Sequence, residues 1–216
     1  MTIPLHAPLA LIGAGKMGGA MITGWLERGL DPKLVYVQDP GPSPEVASLL
    51  ARHGIKVHAA LPESMPEPAV LLVAVKPQVM DDVFPPVAHR AGPSTVTVSI
   101  AAGRTLAGFA RHLPPNAAII RSMPNTPAAV GRGITVCCAN PHVTPRQREL
   151  AQALLSAVGD VGWVEDEALI DQVTAVSGSG PAYVFRFLEA LIASAIARGF
   201  DAKQARLLAT QTLVGA

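Results

Sequence analysis

Leu9-Ala10-Leu11-Ile12 is a short apolar run that stops in the pattern G-x-G-x-x-G at Gly13, Gly15 and Gly18. No other stretch restricts the fold of this chain as strongly. A buried strand, a glycine turn and a helix, in that order, are what a dinucleotide phosphate site requires. Gly13 is suited to the tight turn. Gly15, without a Cβ, lets a pyrophosphate approach the backbone, and Gly18 lets the helix lie close to the strand. Free N–H groups at the start of that helix, predicted over Lys16 to Arg28, would face the phosphates.

The following segments repeat the theme. Leu34-Val35-Tyr36-Val37-Gln38 reads as a second strand ending in Asp39, about 20 residues past the glycines, where a ribose-binding acid is expected. Ser43 and Pro44 predict the cap and first residue of a helix to about Arg52. Ile55-Lys56-Val57 reads as a short third strand. Val70 to Val75 reads as a strand buried on both faces, the mark of a parallel sheet. It ends at Lys76-Pro77, on the strand edge where doubly wound sheets bind ligands. Thr95 to Ile100 is a further strand followed by Ala101-Ala102-Gly103, small residues that leave room for a ligand. Leu106 to His112 reads as a helix. Ala118 to Arg121 leads into the proline-bounded loop Met123 to Pro127, and Ile134 to Cys138 is another strand. Thr144-Pro145-Arg146-Gln147 is a capping box for a helix to about Val158. Val161 to Val164 reads as a last strand. The alternation predicts an α/β fold with a Rossmann-type doubly wound sheet over residues 1–164.

From Glu165 the pattern is helical only. A helix is expected near Ala168 to Val176, a break at Ser177-Gly178-Ser179-Gly180, and a long helix from Pro181 to about Arg198. That helix carries apolar residues all round, among them Tyr183, Phe185, Phe187 and Leu191. A helix without a wet face is normally buried, and a partner subunit is the natural cover. Asp201 and Gln204 cap a final helix that runs to Ala216. Residues 165–216 are thus expected to be an all-helical C-terminal domain for dimerisation and substrate binding, truncated because the sequence stops inside a helix.

Bulk composition narrows the function. A net charge of +1 and the lack of a basic run make nucleic acid an unlikely partner. Cys137 and Cys138 are adjacent and point to opposite faces of a strand, which suits neither a metal site nor a disulfide and fits a reducing cytoplasm. Met1 to Pro8 lacks a signal-peptide pattern. No stretch of about 18 apolar residues is read, so no membrane span is expected. The scattered histidines show no metal or triad spacing, and Trp25 and Trp163 read as packing residues.

Five stretches together resemble the pyrroline-5-carboxylate reductases: Ile12-Gly13-Ala14-Gly15-Lys16-Met17, Ala74-Val75-Lys76-Pro77, Ser99-Ile100-Ala101-Ala102-Gly103, Arg121-Ser122-Met123-Pro124-Asn125-Thr126-Pro127, and Asp171 to Tyr183. The last is the most specific. The resemblance implies hydride transfer from NADPH or NADH to the C=N carbon of 1-pyrroline-5-carboxylate, giving L-proline, in a homodimer or larger homo-oligomer. It implies that Ile12 to Met17, with Gly18, hold the pyrophosphate. Ala74, Val75, Lys76 and Pro77, with Ile100, Ala101 and Ala102, would line the nicotinamide and its ribose. Asn125 would shape the loop beside that ring, and Glu167 matches a glutamate of the family's substrate site.

A protonated cyclic imine demands little beyond placement in a dry site. No side chain is therefore assigned to proton transfer. Backbone N–H groups of Ser177, Gly178, Ser179 and Gly180, at a helix mouth, are expected to hold the substrate carboxylate. Glu167 is expected to orient the imine N–H⁺.

Three departures from the family stand out. Asp39 replaces a small polar residue; a carboxylate accepts from a free 2′-OH and repels a 2′-phosphate, which tilts the chain toward NADH although the family favours NADPH. Leu61 stands where an asparagine often helps hold the cofactor. The family's later Ser-Pro-Gly-Gly-Thr loop, which completes the pocket, is absent. Two alternatives follow. Another imine or β-hydroxyacid-type reductase would need a lysine deep in the helical domain, and Lys203, the only late lysine, lies on a different helix. A non-catalytic dinucleotide-binding protein would follow if the chain truly ended at Ala216.

Overall fold

Strand β1 (Leu9–Ile12) is buried along its whole length, which only a central strand covered on both faces can satisfy. In the computed structural model, which describes residues 3–216, it lies inside an eight-stranded sheet. Met1 and Thr2, the start of the segment read as lacking a leader, lie outside the described residues.

In chain order the elements are β1, α1 (Lys16–Glu27), β2 (Val35–Gln38), α2 (Pro44–Arg52), β3 (Val57–His58), β4 (Val70–Val73), α3 (Met80–Ala88), β5 (Val96–Ser99), α4 (Leu106–Ala110), β6 (Ala118–Met123), β7 (Gly133–Ala139), α5 (Pro145–Leu155), β8 (Gly159–Trp163), α6 (Leu169–Val173), α7 (Gly180–Ala197) and α8 (Ala202–Gly215). The sheet order is β3-β2-β1-β4-β5-β6-β7-β8. Its first six strands are parallel and follow the dinucleotide-binding order, with the reversal between β1 and β4. β7 returns antiparallel beside β6, and β8 is parallel to β7.

Alternation along the strands splits the core in two. Leu9, Leu11, Val70 and Leu72 face Met21, Trp25, Leu50 and Leu154, on the side of α1, α2 and α5. Ala10, Ile12, Leu71 and Val73 face Met80, Phe84 and Phe109, on the side of α3 and α4. Trp25 is fully buried and donates its indole N–H to Leu154 O at 2.9 Å.

The expected caps are present: Ser43 Oγ accepts from Val46 N, and Thr144 and Gln147 form a capping box. Three local expectations change. The third strand is Val57–His58 rather than residues 55–57. Helix α3, which the sequence reading passed over, forms although Pro85 and Pro86 lie inside it. Proline removes two intrahelical donors there, but Met80, Phe84 and Val87 bury one face against the sheet, and that packing outweighs the loss.

The third change is at the Ser-Gly-Ser-Gly segment. It is not a corner but a π-helical turn, Thr174–Gly178, that joins α6 to α7 in one helix from Ala168 to Ala197. Ser179 N donates to Thr174 O at 2.8 Å, while the Ser177 and Thr174 hydroxyls donate to Val173 O and Ile170 O. Hydroxyls and the wider turn absorb the main-chain groups that a break would have freed. Merging the two segments also gives a helix long and apolar enough by composition to cross a membrane, with a window of mean hydropathy 1.3. The segment-by-segment reading had found no such stretch.

Cys137 and Cys138 are free and face opposite sides, as expected. Burial pushes the Cys137 thiol up to about 12. A thiol held neutral in the fold but free to ionise when unfolded stabilises below its ordinary value near 9 and loses that contribution as pH rises toward 12. Stability is expected to fall by about 1.4 kcal/mol per pH unit across that window. Denaturant titrations at stepped alkaline pH should show a flatter decline for Cys137→Ala than for the parent.

Candidate functional site

The carboxyl ends of β1, β2 and β4 meet at the strand-order reversal and leave a cleft of about 460 Å³. Ile12, Gly13, Gly15, Asp39, Ala74, Val75 and Lys76 line it, so these sequence-predicted cofactor residues do come together. Gly13 has φ +92°, and a Cβ there would lie 2.9 Å from Ala74 O. Its N–H donates to Gln38 O at 2.8 Å. A Cβ on Gly18 would overlap Gly13 O, which locks α1 onto the turn, whereas one on Gly15 would meet nothing within 4 Å. Gly15 is the N-cap of α1 and no side chain caps the helix. An empty space over Gly15, facing uncapped helix N–H groups, fits a pyrophosphate.

Asp39 is more constrained than its place in the sequence indicated. Oδ2 accepts from Ala14 N at 2.7 Å and Oδ1 from Gly41 N at 2.8 Å. The carboxylate therefore pins the glycine turn to the end of β2 while lining the cleft. Asp82, near the start of α3, also lines it and was missed along with that helix. Two carboxylates and the exposed Lys76 make this cleft poor in positive charge.

The remaining expected cofactor residues are placed differently. Ala14 is buried, and Lys16, Met17 and Gly18 belong to the first turn of α1. Pro77, Ile100, Ala101, Ala102 and Asn125 do not line this cleft. Ile100 N donates to Val73 O, and Ala101 is buried. The Asn125 amide is engaged at both ends: Oδ1 accepts from Ile134 N at 2.9 Å and Nδ2 donates to Ser177 O at 3.1 Å. Leu61 donates its N–H to Gln38 Oε1 at 2.9 Å.

The expected substrate residues gather beyond the ends of β5 and β6. Glu167 Oε1 accepts from Leu106 N at 2.8 Å, in the first turn of α4, and from an Arg121 guanidinium nitrogen at 3.1 Å. The other terminal nitrogen of Arg121 meets Asp171 Oδ1 at 2.5 Å. Arg121 is 2% exposed, and the sequence reading gave it no role. The signal was there: a lone cation inside Ala118-Ile119-Ile120 and Ser122-Met123, which a buried strand tolerates only with a partner. Gly178 approaches Met123, whose Cε would lie 3.2 Å from a Cβ on that glycine. Ser177 and Ser179 are half-buried beside it, and Gly180 opens α7.

Residues 8–103 match the family described as NADP oxidoreductase coenzyme F420-dependent, and residues 167–216 match pyrroline-5-carboxylate reductase dimerisation. The chain is 37% identical over 211 residues to the pyrroline-5-carboxylate reductase of Vibrio alginolyticus, covering 98% of this chain and 77% of that protein. It is 38% identical over 208 residues to that of Pseudomonas aeruginosa, covering 96% and 76%. Among solved structures it is similar to a pyrroline-5-carboxylate reductase from Coxiella burnetii, with TM-score 0.88, 31% identity, and coverage of 97% and 77%. A pyrroline carboxylate reductase from Plasmodium falciparum with NADP bound superposes with TM-score 0.82 at 24% identity, covering 100% and 78%.

Proposed function

Because this chain belongs to the pyrroline-5-carboxylate reductase family, we propose that its two residue clusters are the halves of one reductase site. The protein is an NAD(P)-dependent oxidoreductase that reduces 1-pyrroline-5-carboxylate to L-proline. The observation that carries the placement of the cofactor is the glycine turn: open over Gly15, closed at Gly13 and Gly18, and facing an uncapped helix. Gly13, Gly15 and the N–H groups of Lys16 and Met17 would hold the pyrophosphate. Asp39 would take the adenosine ribose, and Ala74, Val75 and Lys76 the nicotinamide side. When bound, the reduced nicotinamide supplies a hydride.

The protein's remaining work is to hold an iminium. The hydride adds to the imine carbon, the C=N π pair moves to nitrogen, and the protonated ring nitrogen becomes a neutral amine without a proton donor in that step. Glu167, with Oε1 already engaged, would turn Oε2 to the ring N–H⁺. We assign the substrate carboxylate to the π-helical turn, where Ser179 brings a half-buried hydroxyl and Gly180 leaves open space, the Ser179 N–H being already given to Thr174 O. π-turns recur at functional sites, and the Asn125 bond to Ser177 O anchors this one to the sheet layer.

The family's dimerisation match supports self-association, and we assign the contact to residues 165–216. In the single chain α7 buries none of its residues, and Tyr183, Phe185 and Phe187 are more than half exposed. A second copy gives this face a protein environment, which accounts for its apolar length without a bilayer. Phe185→Asp is expected to convert the oligomer to monomer in size-exclusion chromatography with light scattering; an unchanged mass would remove α7 from the contact. A reducing cytoplasm suits the two free thiols. The activity itself is tested by cofactor oxidation that depends on added pyrroline-5-carboxylate. Failure of a cofactor-binding oligomer to turn over would refute it.

A further inference from the structure

We propose that Arg121 is a positioning residue for the reaction: its guanidinium aims Glu167 so that one carboxylate oxygen stays open to the substrate's ring nitrogen. The proposal rests on the assignment of Glu167 to that nitrogen. Glu167 Oε1 takes both of the carboxylate's donors, Leu106 N from α4 and Arg121 from β6, and among the described residues Oε2 accepts none. Two donors from two elements of the sheet layer on one oxygen fix the plane of the group. Asp171, four residues on and in the first turn of α6, occupies the other arm of the guanidinium. Without that cation, two carboxylates four residues apart would repel and turn away from each other. A planar fork holds the two acids at a fixed separation and in fixed planes; an ammonium, a point charge with three rotatable donors, fixes neither.

Stability does not account for the arrangement. Arg121 is 2% exposed, its Nε has no hydrogen-bond partner, and Asp171 is 65% exposed. A buried cation that is incompletely satisfied holds a helix no better than an apolar contact of equal size. What the guanidinium supplies, and an apolar residue could not, is the orientation of Glu167.

The test uses steady-state kinetics, cofactor titration and thermal melting on Glu167→Gln, Arg121→Lys and the double variant. Glu167→Gln keeps the Oε1 acceptor and removes the charge. It is expected to lower kcat/KM for the imine at least about tenfold, with cofactor Kd unchanged. Arg121→Lys is expected to lower it about 10- to 100-fold, also at constant cofactor Kd. The double variant should be no worse than the weaker single, because both changes remove one coupled interaction. Parental activity in Glu167→Gln would overturn the assignment of Glu167. A damaged Glu167→Gln beside a fully active Arg121→Lys, or losses that multiply in the double variant, would overturn the positioning role alone. Should Arg121→Lys not fold, the decision passes to Asp171→Asn, whose exposed side chain leaves the fold intact. A loss of about threefold or more that does not add to that of Glu167→Gln supports the fork, and no loss or an additive one overturns it.

Discussion

Asp39→Ser is expected to raise the ratio of kcat/KM for NADPH over NADH on the order of 10²-fold. Both oxygens of Asp39 are held by main-chain N–H groups, of Ala14 and Gly41, so the carboxylate cannot swing away from an incoming 2′-phosphate. Like charges forced together at a binding surface cost several kcal/mol, and about 1.4 kcal/mol corresponds to a factor of ten. Asp82 in the same cleft adds a second negative group, and Lys76 is the one cation among the cleft-lining residues. The change removes repulsion toward NADPH and an acceptor for the NADH ribose, so the two rates should move in opposite directions. Serine also gives up the clamp on Ala14 N, and some loss with both cofactors is expected on top of the switch. Parallel initial-rate series with the two cofactors check this. A constant ratio would take Asp39 out of the ribose site.

Gly15→Ala should separate cofactor binding from folding. The backbone at Gly15 is extended, with φ −69° and ψ −162°, a region alanine adopts freely. Its Cβ would meet no protein atom within 4 Å, so the folded state should lose less than about 1 kcal/mol. The methyl would instead occupy the approach to the α1 N–H groups, and cofactor Kd is expected to rise at least about 10²-fold. Gly13→Ala and Gly18→Ala should behave differently. There the new carbon meets backbone, Ala74 O in one case and Gly13 O in the other, and melting temperature should fall with binding. Thermal melts paired with cofactor titrations distinguish the two classes. Gly15→Ala binding with parental affinity would mean that no phosphate rests over this turn.

The glycine turn and the caps at Ser43 and Thr144 were legible because each depends on residues close in sequence, whose geometry has few solutions. Helix α3 was not, because Pro85-Pro86 argue locally against a helix, while the burial of Phe84 against the sheet argues for it only once the sheet exists. The π-helical turn was hidden for a related reason: Ser-Gly-Ser-Gly has the composition of a break, and hydroxyl-to-carbonyl bonds that a linear reading does not count keep it helical. The second role of Asp39 and the whole of Arg121's depend on partners 25, 46 and 50 positions away. Residue type could flag Arg121 as needing a counter-charge, but only the topology selects Glu167 and Asp171 among the nearby acids.

The π-helical turn also sets the azimuth of all that follows it. An α-helix advances about 100° per residue, so a single added residue rotates every later side chain by that angle about the axis. The bearings of Tyr183, Phe185 and Phe187, all more than half exposed in the single chain, depend on this offset as much as on their own spacing. Removing one residue between Thr174 and Gly178 would leave the helix intact and its all-round apolar surface nearly the same, yet it would turn each aromatic ring of α7 toward a different neighbour. The turn that we assign to the substrate is thus also the dial that sets which rings of α7 the chain offers to its twin.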